Sequence, residues 1–103
     1  MPAPRFEAPS RFPPVERDIS FLLDRNVTFS TIQQVVLELG VPELRTLRLI
    51  DLYHGSGLPQ NKVSLTVRLT FEHPSRTLVQ AEVAERCDRV VAALRERFSI
   101  EQR

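Results

Sequence analysis

An α+β fold in the order β-α-β-β-α-β, with a four-stranded antiparallel sheet and two helices on one face, is predicted by three features of the chain. Val63 to Phe71 places a large apolar residue at every odd position and Ser, Thr or Arg at every even one. That is the period of a strand with one buried and one open face. Two other segments repeat apolar residues at helical spacing. One turn-rich loop, His54 to Asn61, joins two strand-like runs directly, as a hairpin does.

In chain order, residues 1–14 hold five of the eight prolines, Pro2, Pro4, Pro9, Pro13 and Pro14, and no hydrophobic period. They read as a linker or leader. A linker at the start implies a piece of a longer protein, with Met1 added to begin translation. Phe6 and Phe12 are expected to pack back onto the body. The domain proper is residues 15–103.

Val15 to Asp24 is the first strand, with Ile19, Phe21 and Leu23 on one face and Asp18, Ser20 and Leu22 on the other. Val27 to Leu39 is a helix, with Ile32, Val35, Val36 and Leu39 on one stripe. If Thr28 caps it, Val27 and Ile32 form a hydrophobic staple; if Ser30 does, Gln33 completes a capping box. Gly40 and Pro42 end it. Leu44 to Tyr53 is the second strand. Its alternation slips at Leu49-Ile50, which a β-bulge reconciles. After the third strand, Thr77 and Gln80 have capping-box spacing for a helix from Leu78 to about Phe98. Val79, Val83, Cys87, Val90, Val91, Leu94 and Phe98 form its stripe. Glu82 with Arg86, and Glu85 with Arg89, are solvent-side pairs. Ser99 to Arg103 adds a short last strand. This is the ferredoxin-like, split β-α-β plan.

Composition bounds the function. The 103 residues suffice for one core without disulfides. A single cysteine, Cys87, excludes a disulfide framework and a multi-cysteine metal site. No apolar run is long enough to span a bilayer and no signal peptide opens the chain, so the expected compartment is the cytoplasm. The net charge of +1 is small for a freestanding nucleic-acid-binding domain. Lys62 is the one lysine among 14 basic residues. Arginine suits bidentate contacts to phosphate and bases, although GC-rich coding is the favoured explanation of the bias.

Gly55-Ser56-Gly57 opens no helix and has no nucleotide-binding spacing. His54 and His73 flank the hairpin without a third ligand, so no metal site is expected. Acylphosphatases share the β-α-β-β-α-β plan, but here Asp24-Arg25-Asn26 lacks a glycine-rich phosphate loop and Asp24 repels an anion. No nucleophile-base pair occurs, so no catalytic residue is assigned.

The run Arg11-Phe12-Pro13-Pro14-Val15-Glu16-Arg17-Asp18-Ile19-Ser20-Phe21 resembles the opening of the ferredoxin-fold anticodon-binding domain. That domain closes the β subunit of bacterial phenylalanyl-tRNA synthetase and also ends the single-chain organellar enzyme. The resemblance continues through Leu49-Ile50-Asp51-Leu52-Tyr53-His54-Gly55, Gly57-Leu58-Pro59, Lys62 to Phe71, Arg76-Thr77-Leu78 and Glu82-Val83. Two departures stand out. Val63 replaces a second lysine before the serine of the third strand, which removes one phosphate contact. Val79-Gln80-Ala81-Glu82 replaces the usual Thr-Asp-Glu-Glu cap and moves the expected cap to Thr77.

The resemblance implies contact with the anticodon stem-loop of phenylalanine tRNA. ATP and magnesium would serve the parent enzyme, and this segment would need no cofactor. The implied partners are the tRNA, the catalytic α subunit and the rest of the β subunit. The RNA-binding residues expected are Asp18, Ser20, Ser64, Thr66 and Arg68 on the open face, Arg17 and Tyr53 at strand ends, and Lys62 at the hairpin mouth. Tyr53, the only tyrosine, is the stacking candidate. Arg17 and Asp18 also admit a structural reading, as ion pairs that pin the first strand. The alternative function is a non-RNA regulatory or subunit-interaction domain of the same fold. The polar open face counts against it.

Overall fold

The computed structural model describes residues 13–102. The proline-rich leader lies almost wholly outside the described residues, as do Phe6 and Phe12. The elements are β1 (Val15–Asp24), α1 (Phe29–Leu39), β2 (Leu44–Tyr53), β3 (Lys62–Phe71), α2 (Gln80–Phe98) and β4 (Glu101–Gln102). They form one sheet in the order β2-β3-β1-β4, with every neighbouring pair antiparallel. The expected ferredoxin-like arrangement is the observed one.

Alternation in β1 and β3 produces the core. Ile19, Phe21 and Leu23 from β1 meet Leu65, Val67, Leu69 and Phe71 from β3, and all are buried. Against them pack Ile32, Val35 and Val36 of α1, and Val83, Val90, Val91 and Leu94 of α2. Val41, Leu78 and Ile100 close the core from the connections. Burying one such side chain is worth about 1.5–3 kcal/mol.

Of the two caps open for α1, Thr28 is the one used. Its hydroxyl accepts from the Thr31 N–H at 3.2 Å, and Val27 and Ile32 occupy the staple positions. Gly40, in the left-handed region at φ 62°, ends α1 by donating its N–H to the Leu37 carbonyl. At α2 the expected cap, Thr77, is not the one formed. Val79 is the capping residue, and the Glu82 carboxylate accepts its N–H at 3.0 Å. Valine has no acceptor to return, so only half of a capping box forms. Its capping role takes Val79 out of the buried stripe and leaves it 56% exposed, while Leu78 turns into the core.

The expected Glu82–Arg86 pair is also replaced. Glu82 takes a two-pronged bond from Arg76 at 2.7 and 2.6 Å. Arg86 instead reaches Glu43 at 2.9 Å and ties the α1–β2 connection to α2. Glu85 and Arg89 pair at 2.7 Å as their spacing predicts.

Candidate nucleic-acid interface

Helices cover one side of the sheet, and the other side presents a grid set by strand register. From one end, its rows are Thr46–Thr70–Glu16, Arg48–Arg68–Asp18, Asp51–Thr66–Ser20 and Tyr53–Ser64–Leu22, each read from β2 through β3 to β1. A fifth row pairs Lys62 with Asp24, and Glu101 of β4 lies opposite Leu22.

Arg68 and Asp18 are joined. The Arg68 guanidinium donates to both Asp18 oxygens, at 2.8 and 3.2 Å, and stands 3.9 Å from Glu16. This hydrogen bonding holds the Asp18 carboxyl below its usual range and pushes Arg68 up. The structural reading of Asp18 therefore holds: it pins β1 to β3. In the next row the Ser20 and Thr66 hydroxyls bond each other at 2.7 Å. Each oxygen keeps acceptor capacity, and one proton of the pair is free to donate outward.

Tyr53 reaches this face because of a bulge. The β2–β3 register shifts between Leu49 and Asp51, so Ile50 is the extra residue. Leu49 and Leu52 then share the helix side, opposite Val67 and Leu65, while Asp51 and Tyr53 turn to the open side. Without the extra residue the last residues of β2 would face the other way. The Tyr53 hydroxyl donates to the Ser56 carbonyl at 2.8 Å, which anchors the ring to the hairpin loop. The ring stays 45% exposed.

Two expected positions are corrected. Ser64 is on the grid but is not part of an open surface. It is only 7% exposed, because its short side chain lies between the bulkier Leu22 and Tyr53 on the central strand. Arg17 is not on this side at all. It lies opposite Leu69, on the helix side, toward Cys87 of α2, whose thiol is pushed up by burial against a smaller opposing pull from the Arg17 charge. Its guanidinium donates to the Glu16 carbonyl at 3.0 Å. Strand alternation from Asp18 carried this information. Lys62 opens β3 at the hairpin mouth and is half-buried there.

The sequence reading also passed over two open-face residues, Arg48 and Asp51. Both are exposed, and neither makes an ion pair among the described residues. The signal was the Leu49-Ile50 slip: once a bulge is granted there, Asp51 and Tyr53 must fall on the same side as Arg48.

The chain matches the family model described as the ferredoxin-fold anticodon binding domain over residues 10–103. The chain belongs to this family. Among curated relatives, the phenylalanine–tRNA ligase beta subunit of Pseudomonas fluorescens (strain Pf-5) is 41% identical over 93% of this chain and 12% of its own length. That of Geobacillus kaustophilus is 41% identical over 91% of the chain and 12% of its own. That of Synechococcus elongatus is 38% identical over 94% and 12%. This anticodon-binding domain therefore spans about an eighth of the length of the relatives it matches. Among its described residues, no three His, Cys, Asp or Glu side chains group to hold a metal ion, and no helix is long and apolar enough to cross a membrane.

Proposed function

We propose that the open sheet face contacts the anticodon stem-loop of phenylalanine tRNA, as one module of a cytoplasmic phenylalanine–tRNA ligase. The observation that carries this reading is Tyr53: an anchored, half-exposed ring beside the uncommitted Asp51 carboxylate and the Ser20–Thr66 hydroxyl pair. Unstacked loop bases are recognised by stacking on aromatic rings and by hydrogen bonds to their edges. The ring supplies the first, and the carboxylate and hydroxyls supply the second. Of the residues expected to bind RNA, Asp18, Ser20, Tyr53, Lys62, Thr66 and Arg68 share the grid. Ser64 is on the grid as well, buried in the row of Tyr53. Aminoacylation, with its ATP and magnesium, belongs to the catalytic α subunit and the rest of the β subunit, in keeping with the small share of the relatives that this chain spans.

A subunit-contact role has its own support on the opposite side. The outer strand β2 leaves Leu49, Ile50 and Leu52 at least 40% exposed, beyond the reach of the helices. That apolar edge is separate from the Tyr53 face, so one molecule has room for both roles.

Titration of the 103-residue chain with phenylalanine tRNA at several salt concentrations tests the RNA reading. Weak binding that falls with salt is expected: charged contacts to phosphate make it salt-dependent, and the net charge of +1 keeps the number of neutralised phosphates small. Tyr53→Ala is expected to weaken it about tenfold, the scale of one lost base stack. No binding at the lowest salt, or wild-type affinity for Tyr53→Ala, overturns the reading.

A further inference from the structure

Charge on the open face is unequal between the strands. β1 and β4 place Glu16, Asp18, Asp24 and Glu101 there and no cation, since Arg17 lies on the helix side. The cations of the face, Arg48, Arg68 and Lys62, all belong to β2 and β3, whose one open-face carboxylate is Asp51. Arg68 is committed to Asp18, with Glu16 at 3.9 Å. Arg48 lies directly opposite Arg68 on the outer strand, is exposed, and makes no ion pair among the described residues. Two guanidiniums side by side repel each other unless one is neutralised, and Asp18 neutralises the inner one. The outer one keeps its charge for a ligand.

Resting on the anticodon-binding reading of this face, we propose that Arg48 is its phosphate anchor and that the RNA backbone follows the outer strand β2. A polyanion laid across β1 and β4 meets four carboxylates, of which, among the described residues, only Asp18 is bonded to a cation of the face. Laid along β2, it meets Arg48, passes the single carboxylate of Asp51 in the next row, and reaches the Tyr53 ring two rows or about 14 Å from Arg48. Guanidinium binds phosphate in a planar two-pronged contact. Arg48 thus holds the backbone while the bases turn inward, onto Tyr53 and the hydroxyl row.

The test compares the 103-residue chain with Arg48→Gln, Arg48→Lys and Arg95→Gln. Arg95 is exposed in the last turn of α2, so Arg95→Gln removes the same charge from the helix side. Each protein is titrated with a phenylalanine tRNA transcript at four salt concentrations, and thermal melts check folding. Arg48→Gln should lose about tenfold in affinity at low salt, the worth of one charge-assisted hydrogen bond. Its slope of log affinity against log salt should flatten by about 0.7, the release from one single-stranded phosphate. Arg48→Lys should keep the slope, and Arg95→Gln should match wild type. An unchanged slope in Arg48→Gln, or an equal loss in Arg95→Gln, overturns the anchor while the anticodon-binding reading survives through Tyr53→Ala. If wild-type protein does not bind the transcript, both fall together.

Discussion

Leu65 and Arg68 lie three residues apart on β3 and face opposite ways. Leu65 is 2% exposed in the centre of the core. Leu65→Ala should cost about 2–5 kcal/mol of stability, through lost burial and the cavity left behind, read from chemical denaturation. Arg68 works through Asp18. Arg68→Ala should lower the melting temperature slightly and leave Asp18 and Glu16 uncompensated on the open face. If RNA follows the proposed path along β2, Arg68→Ala should therefore weaken tRNA binding by repulsion. The double variant Arg68→Ala, Asp18→Ala should then recover much of the binding. If the double variant binds as weakly as Arg68→Ala alone, Arg68 touches the RNA itself and the repulsion account is wrong.

Element ends show how single side chains hold the secondary structure. Gly40 ends α1 at φ 62°, and a Cβ there would meet nothing within 4 Å. The cost of Gly40→Ala is thus conformational alone, about 1–2 kcal/mol. Gly40→Asn should cost less, because asparagine tolerates the left-handed region, and equilibrium unfolding of the two variants checks the order. At the start of α2, the Arg76 guanidinium and then the Val79 N–H hold the Glu82 carboxyl at a pKa of about 2, down from an ordinary 4.5. A depressed carboxyl pKa means that folding binds fewer protons. The stabilisation is complete above about 4.5 and is lost as pH falls toward about 2. Glu82→Gln should therefore melt earlier at neutral pH, and the gap to wild type should close across that acid window. A constant gap from pH 7 to pH 2 would show that Glu82 acts through packing instead.

For the whole molecule, the expected behaviour is a binding module without chemistry of its own. The 103-residue chain should transfer no phenylalanine to tRNA above a no-protein control, because its sequence holds no nucleotide-binding motif and no nucleophile-base pair. Turnover in that assay would refute the assignment of aminoacylation to the other parts of the ligase. Nearly all of the architecture was legible from the chain. Two-residue and helical periods marked β1, β3 and both helices, Gly40 marked a helix end, and the Leu49-Ile50 slip marked the bulge. These are local signals, carried by residues close together in sequence. The site was legible as a face, but not in its detail. Local alternation cannot say that the Arg68 guanidinium closes on Asp18, 50 residues away, or that Ser64 is roofed by neighbours from β1 and β2. Nor can it say that Arg86 prefers Glu43 to the glutamate one turn before it. The sequence by itself determined which residues form strands and helices and which faces are apolar, because backbone period and burial are written residue by residue. Only the tertiary structure decided which charges are paired and which are left for a ligand, because that depends on the register between strands distant in the chain.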